Sequence, residues 1–123
     1  MIVSKEELPT VINGERVQVP GVEHLHCPSC GEIVLPYEDA RALREQGVEV
    51  YRRQHGLLTA EDIRTLRQQL GLTQAQLATL LQLGLNTVSR WESGRNVQSG
   101  ALDLLLKLLR DVPGTLDYLR RAA

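Results

Sequence analysis

The stretch from Leu70 to Gly94 constrains this chain most, because it predicts two short helices joined by a tight turn. Thr73 and Gln76 have the spacing of a capping box, which predicts that a helix begins there. Apolar residues then recur at helical spacing until Gly84, which falls where a turn or an N-cap is needed. The helical pattern resumes from Leu85 to Glu92, so the stretch predicts a helical hairpin.

The second of these helices has an apolar face and a polar face. Val88 and Trp91 are three residues apart and are predicted to face inward. Asn86, Thr87 and Arg90 fall on the other face, where solvent can reach them. In a DNA major groove, Asn pairs bidentately with adenine, Arg pairs with guanine, and Thr contacts either kind of group. We therefore predict base contacts from these three residues; the alternative is a hairpin whose polar residues are merely solvated.

Two motifs in this stretch, Thr73-Gln74-x-x-Leu77-Ala78 and Val88-Ser89-Arg90-Trp91-Glu92-x-Gly94, resemble the helix-turn-helix of the Xre/Cro/lambda-repressor superfamily. The resemblance covers residues 60 to 110 and implies an all-α DNA-binding domain. In this arrangement Gln74, at the positive end of its helix, would bind a phosphate. The predicted contacts with the DNA backbone come from Thr73, Gln74, Ser89, Arg95 and Asn96.

The charge of the chain is unevenly distributed. Residues 1–58 contain nine acidic and six basic residues, a net charge of −3, and residues 59–123 contain six acidic and eight basic residues, a net charge of +2. The positive excess coincides with the predicted helix-turn-helix, as phosphate contact requires. Because the excess is modest, we expect DNA affinity to depend on dimerisation and specific contacts.

The first part of the chain predicts a small antiparallel sheet. Asn13-Gly14 lies between two segments rich in β-forming residues, Thr10–Ile12 and Arg16–Val19, and Asn-Gly in that position is a strong hairpin signal. After a second turn at Pro20-Gly21, residues 22–26 alternate like a further strand.

Cys27-Pro28-Ser29-Cys30-Gly31 follows that strand and has the form of a zinc knuckle. A structural zinc needs four ligands, but Cys27 and Cys30 are the only cysteines in the chain. His24 and His26 are the candidates for the missing pair, although His26 adjoins Cys27. A free dithiol, a disulfide and a zinc ion shared between chains are the other interpretations, and no βαβ pattern supports a thioredoxin-like role.

The remainder of the chain predicts helices. One begins near Tyr37, with Gly47 a weak point. Its arginines are interpreted as a solvated face, with phosphate contact as the alternative: Arg41, Arg44, Arg52 and Arg53. A capping box at Thr59 begins a scaffold helix with Arg64 and Arg67 facing outward. The loop of residues 95–98 could lie against the DNA backbone.

The C-terminal helices are rich in leucine. Ser99 is predicted to cap a helix through Arg110, and Thr115 to cap a last short helix. Leu104 and Leu108 make the apolar face of the first of these helices wider than one small core requires. Such a face favours a subunit interface.

The order of hairpin, Cys-x-x-Cys, linker helix and helix-turn-helix, together with the segment from Tyr51 to Thr59, resembles the MqsA-type antitoxins, also called YgiT-type zinc-finger/helix-turn-helix proteins. The resemblance covers almost the whole chain. It implies an N-terminal zinc domain that binds a ribonuclease toxin and a C-terminal domain that dimerises and represses its own operon. The family's base-reading Asn and Arg fall on Asn86 and Arg90.

One feature departs from this family. Its members usually hold zinc with two Cys-x-x-Cys pairs, one of them at the extreme N-terminus, whereas this sequence begins Met-Ile-Val-Ser-Lys. Either the first residues are missing or the metal site has been lost, so zinc stays an open expectation.

The sequence thus predicts an α+β protein. We expect a β-hairpin and knuckle domain over residues 1–36, a linker helix over 37–58 and an all-α, lambda-repressor-like domain over 59–123. The predicted function is sequence-specific repression from palindromic DNA by a homodimer, as the antitoxin of a ribonuclease toxin. A free-standing regulator and a protein-interaction module without DNA binding are the alternatives. No catalytic set, signal pattern or membrane segment is present, so we expect a cytoplasmic protein that is not an enzyme.

Overall fold

The computed structural model describes residues 2–122 and has the mixed α+β architecture that the sequence predicts. The chain divides into two compact units, residues 1–51 and 52–123. The strands are β1 (Ile2–Ser4), β2 (Leu8–Ile12), β3 (Glu15–Val19), β4 (His24–His26) and β5 (Ile33–Val34). The helices are α1 (Tyr37–Gln54), α2 (Ala60–Gln69), α3 (Gln74–Leu80), α4 (Thr87–Glu92), α5 (Gly100–Asp111) and α6 (Thr115–Ala122). Within residues 2–122, no helix combines the length and the apolar character needed to cross a bilayer.

The predicted hairpin is confirmed by the pairing of β2 with β3. The strands are antiparallel, and Ile12 pairs with Glu15 across the two-residue turn. Asn13 and Gly14 both have a positive φ, 50° and 79°. This is the conformation of a type I′ turn, whose twist matches that of the flanking strands.

The prediction of a single sheet is wrong, because the described residues form two. β4 pairs with β1 and β5 in a separate antiparallel sheet of order β1-β4-β5. The predicted strand over residues 22–26 is shortened to β4, and the carbonyl of Val22, which precedes it, is hydrogen-bonded to Nδ1 of the His24 ring at 3.0 Å. Three residues in β1 and two in β5 are too few to give an alternation signal.

Helix α1 continues through Gly47, where the sequence indicates a weak point. A side chain at Gly47 would collide with the methyl group of Thr10 in β2, so glycine allows the helix to approach the hairpin closely. Residues up to Tyr51 belong to the first unit. The buried apolar residues of that unit are Leu8, Ile12, Val17, Val19, Val22 and Val48.

In the second unit, the predicted helix starts are confirmed by their capping contacts. Thr59 and Thr73 each accept a hydrogen bond from the amide three residues on, and each capping box is reciprocal. Ser99 accepts from the amide of Leu102. The predicted cap at Thr115 is wrong: this residue is the first of α6, and its hydroxyl donates to the carbonyl of Val112.

The core of the second unit is one apolar cluster. Trp91 and Leu106 lie within it, and Leu102 is half-buried at its edge. The buried members are Leu58, Ile63, Leu66, Leu77, Ala78, Val88, Trp91, Leu106 and Leu109. This cluster contains residues from α2, α3, α4 and α5, so it fixes the helix-turn-helix against its supporting helices.

Candidate nucleic-acid interface

The turn between α3 and α4 is closed by backbone hydrogen bonds. The amide of Leu83 donates to the carbonyl of Ala78 (2.8 Å), and the amide of Gln82 donates to the carbonyl of Thr79 (3.0 Å). These bonds are those of a Schellman motif, in which the residue with left-handed backbone is usually glycine. Here that residue is Gln82, with φ 59°. The C-terminal end of α3 is therefore closed by a residue in the left-handed backbone conformation, which is unfavourable for any residue that has a Cβ atom.

Helix α4 is shorter than predicted. It begins at Thr87 rather than Leu85, and its N-cap is Asn86 rather than Gly84. The reason is a turn in which the amide of Thr87 donates to the carbonyl of Gly84 (3.0 Å). The side chain of Asn86 makes no capping hydrogen bond.

The two faces of α4 are arranged as the sequence predicts. Val88 and Trp91 are buried, with exposed fractions of 0% and 2%. Asn86 and Arg90 are exposed and lie one helical turn apart, joined through the backbone by the hydrogen bond from the Arg90 amide to the Asn86 carbonyl (3.0 Å). Thr87, the third predicted base contact, is half-buried beside them. An amide and a guanidinium thus project from one short, firmly packed helix.

The C-terminal end of α4 is clamped by an ion-pair cluster. Glu92 is buried, and both its carboxylate oxygens accept from Arg67, at 2.8 and 3.0 Å. The Nε of Arg64 lies 3.4 Å from the same carboxylate. The prediction that Arg67 faces outward is therefore wrong, because its side chain is only 14% exposed, whereas Arg64 stays 42% exposed. The hydrogen bond from Arg67 to Glu92 also raises the pKa of the Arg67 guanidinium.

The predicted DNA-backbone residues are mostly at the surface. Thr73, Ser89, Arg95 and Asn96 are exposed, and Gln74 is half-buried at the first position of α3. The hydroxyl of Thr73 already accepts the capping hydrogen bond from the Gln76 amide (3.1 Å). These residues belong to the beginning of α3, to α4 and to the segment directly after it.

The end of the loop over residues 95–98 differs from the expectation. Gln98 has an exposed fraction of 2% and lies inside the second unit, where its Nε2 donates to the carbonyl of Leu58 (2.8 Å) and to Asp103 (3.1 Å). It therefore does not lie on a DNA-facing surface. Arg52, interpreted from the sequence as part of a solvated face, is also buried, and its Nε donates to Gln98.

A buried carboxylate connects this loop with α5. Asp103 accepts from the backbone amide of Leu58 (2.8 Å) and pairs with Lys107 (2.7 Å). Burial opposes ionisation of Asp103, but the hydrogen bonds from Leu58, Lys107 and Gln98 outweigh it and lower the pKa of the carboxyl. Sequence reasoning missed Arg52, Gln98 and Asp103, since no local pattern distinguishes a buried polar residue from a solvated one.

The Cys-x-x-Cys segment forms a tight turn in the first unit. The amide of Cys27 donates to the carbonyl of Glu32 (2.8 Å), and the amide of Gly31 donates to the carbonyl of Cys27 (2.9 Å). Hydrogen bonds from the Cys30 thiol and amide, and from the Ser29 amide, lower the pKa of the Cys27 thiol.

The residues around this turn do not fit a four-ligand zinc site within one chain. The part of the chain that the structure describes contains no group of three or more His, Cys, Asp or Glu side chains able to hold a metal ion. His24 is buried, with its Nδ1 bonded to the Val22 carbonyl at 3.0 Å, and His26 is half-buried. Two thiols alone leave a tetrahedral zinc ion without half of its ligands.

The second unit is thus a helical domain built around a helix-turn-helix, and the first is a small β-rich unit with a thiol turn. A family model described as the antitoxin component of bacterial toxin-antitoxin system, MqsA, matches residues 1–120. The chain belongs to the MqsA antitoxin family, as its sequence features predict.

Two relatives carry the name antitoxin. The chain is 27% identical over 122 residues to Antitoxin MqsA of Escherichia coli (strain K12), a match that covers 98% of this chain and 92% of that protein. It is 32% identical over 62 residues to Antitoxin HigA-2 of Vibrio cholerae serotype O1, a match that covers 50% of this chain and 60% of that one.

Proposed function

We propose that this protein is a dimeric, sequence-specific DNA-binding repressor that acts in the cytoplasm as the antitoxin of a ribonuclease toxin and regulates its own operon. The single observation that supports DNA recognition is that Asn86 and Arg90 are both exposed, one helical turn apart, on a helix whose other face is buried. A rigid helix with these two groups suits a major groove, where Asn reads adenine and Arg reads guanine.

The charge of the second unit supports this proposal. Residues 52–123 contain ten basic and six acidic residues, a net charge of +4, whereas residues 1–51 contain four basic and nine acidic residues, a net charge of −5. Phosphate contact favours the positive unit. We assign the backbone contacts to Thr73, Gln74, Ser89, Arg95 and Asn96, which fix the register but do not read the sequence.

A second copy of the chain is proposed to cover the apolar surface of α5 and α6. Leu104, Leu108, Val112 and Tyr118 are exposed there by 47–63%. A dimer built on this surface would bury those side chains and present two α4 helices to successive major grooves, about 34–36 Å apart, on palindromic DNA.

The first unit is proposed to bind the toxin. The family name and the two antitoxin relatives support this role, and the net charge of −5 suits a basic, RNA-binding partner. Exposed apolar side chains on its three-stranded sheet, among them Ile2, Val3 and Ile33, offer contact area.

The DNA-binding proposal is tested with the DNA upstream of the protein's own gene. We expect the full-length protein to bind this DNA much more tightly than an unrelated duplex of equal length, measured by fluorescence anisotropy. Asn86→Ala removes no capping contact, so it should fold normally and lose discrimination at an adenine position. Gln46→Ala, which removes an exposed amide from the first unit, is the matched control and should bind as the wild type does. Equal affinity of the wild type for both duplexes contradicts the proposal.

The antitoxin proposal is tested separately. We expect the gene beside this one to encode a small ribonuclease, and the full-length protein to bind that product and stop its cleavage of RNA. A neighbouring gene of another class, together with normal operator binding, would instead indicate a free-standing regulator.

A further inference from the structure

Arg52 is buried completely, which is unusual for a charged side chain. It lies in the last turn of α1, at the beginning of the second unit. Burying a guanidinium costs free energy unless its donors find acceptors, so the identity of those acceptors indicates what the residue is for.

Three acceptors of Arg52 belong to the end of α4 and the segment after it. Its Nη2 donates to the carbonyl oxygens of Trp91 and Asn96, both at 3.0 Å, and its Nε donates to the side-chain oxygen of Gln98, at 3.0 Å. Trp91 is in the last turn of α4, where backbone carbonyls lack intrahelical partners and the helix dipole favours a positive charge.

The segment held by Arg52 carries two of the residues to which we assign DNA-backbone contacts. The amides of Arg95 and Asn96 both donate to the Arg90 carbonyl, at 2.9 and 3.3 Å. The carbonyl of Asn96 accepts from Arg52. One guanidinium therefore joins the end of the helix that carries Arg90 to the loop that carries Arg95 and Asn96.

The remaining contacts anchor this arrangement in the body of the unit. Gln98 donates to the Leu58 carbonyl and to Asp103, and Asp103 pairs with Lys107. Lys107 lies at the far end of this network and also donates to the carbonyl of Gly56. Removal of Lys107 would leave the buried Asp103 carboxylate without its cation. Arg53, the next residue of α1, has an exposed side chain and therefore supplies the control.

We propose that Arg52 is a positioning residue for DNA recognition: it sets the loop of Arg95 and Asn96 relative to α4, so that phosphate contacts and base contacts form together. A six-residue helix has little stability of its own, so its orientation depends on such tertiary contacts. The inference rests on the proposed DNA-binding function.

The test compares Arg52→Met, Arg52→Lys and the control Arg53→Met, which makes the same chemical change at the neighbouring exposed position, in the full-length protein. Operator affinity is measured between about 50 and 200 mM salt, and amide hydrogen exchange is followed in residues 93–98. For Arg52→Met we expect affinity about tenfold weaker, a salt slope smaller by about one, and faster exchange at Arg95 and Asn96. Arg52→Lys keeps the charge but not the planar fork, so intermediate values are expected. Arg53→Met should match the wild type, because it removes a positive charge but no buried contact.

Several results would overturn the inference. One is a folded Arg52→Met variant with wild-type salt slope and wild-type exchange. If that variant is unfolded at the assay temperature, Arg52→Lys decides, and wild-type behaviour of the lysine variant refutes the role. Equal losses in Arg53→Met would reduce the effect to the removal of one positive charge. If the wild-type protein does not distinguish its operator from other DNA, the proposed function itself is refuted. If the wild type distinguishes them and the Arg52 variant behaves as the wild type does, only the role of Arg52 is refuted.

Discussion

The second unit buries nine apolar residues in one cluster, whereas the first unit, among the residues that the structure describes, buries six, all of them aliphatic. The units also differ in their buried polar groups. His24 is the one in the first unit and bonds to a carbonyl two residues away, while the second unit buries Arg52, Glu92, Gln98 and Asp103.

The buried polar groups of the second unit connect distant parts of the sequence. Arg52 and Gln98 are 46 residues apart, and Arg67 and Glu92 are 25 apart. In the first unit, by contrast, a local two-residue turn specifies the pairing of β2 and β3. The comparison teaches that local signals are enough to build a hairpin, whereas the orientation of a short surface helix such as α4 requires long-range polar contacts.

The largest effect that we expect comes from the tryptophan in the second core. Trp91→Ala should lower the free energy of unfolding of that unit by about 3–5 kcal/mol, because a large buried side chain is lost. Operator binding should disappear with it. Ile12→Ala, in the core of the first unit, should leave operator affinity within about twofold of the wild type. Circular dichroism measures the folding of both variants, and fluorescence anisotropy measures their operator affinity. Loss of operator binding in Ile12→Ala would contradict the expectation that DNA binding depends on the core of the second unit alone.

A smaller effect is expected at the predicted base contact. Arg90→Ala should cost about 1–3 kcal/mol of binding free energy at one base pair, while non-specific binding persists. Arg41→Ala removes an exposed arginine of the first unit and should change neither quantity. Anisotropy titrations against operators substituted at single positions make the measurement. An equal loss on every DNA sequence would refute base reading by Arg90.

Asp103 should make the free energy of unfolding of the second unit depend on pH. Its pKa is lower in the folded protein, so its contribution to stability is present above the unfolded-state pKa, about 3.9, and is lost as the pH falls through the folded-state value. Asp103→Asn should therefore flatten the acid side of the stability profile. Asp117→Asn, at an exposed α6 site, is the control for removal of a carboxylate. Denaturant unfolding below about pH 4 provides the data, and an unchanged slope in Asp103→Asn would contradict the assignment.

A modest gain is expected at the turn of the helix-turn-helix. Gln82→Gly should stabilise the second unit by about 0.5–1 kcal/mol, because glycine adopts positive φ without the Cβ penalty. Gly71 has φ 71° at the end of α2, with the same pair of closing bonds, so Gly71→Ala should destabilise the unit. Thermal denaturation compares the two. A loss of stability in Gln82→Gly would mean that the glutamine side chain contributes more than the backbone strain costs.

The smallest effect is expected from a chelator. Because the residues around Cys27 and Cys30 do not complete a four-ligand site in one chain, EDTA should leave the far-UV circular dichroism and the melting temperature unchanged. Metal analysis of the purified protein is the parallel measurement. Stoichiometric zinc whose removal unfolds the first unit would contradict this expectation and show that further ligands complete the site at Cys27 and Cys30.

The sequence predicted the structure best where the structure depends on neighbouring residues. The Asn13-Gly14 turn, the capping boxes at Thr59 and Thr73 and the burial of Val88 and Trp91 are all confirmed. The two-sheet arrangement was missed because β1 and β5 are very short. The predicted base and backbone contacts stay predictions, although their positions on α3, α4 and the following loop are now known.

By itself, the sequence determined the helices, the hairpin, the family and the face of α4 that carries Asn86 and Arg90. The helices, the hairpin and this face depend on residue spacing and turn chemistry within short stretches of the chain, and the family follows from the order of the motifs along it. Only the tertiary structure decided that Arg52, Gln98 and Asp103 are buried and that Glu92 is clamped by Arg67. The physical reason is that a polar side chain can be buried when distant groups supply its hydrogen bonds, and linear sequence does not specify which distant groups meet.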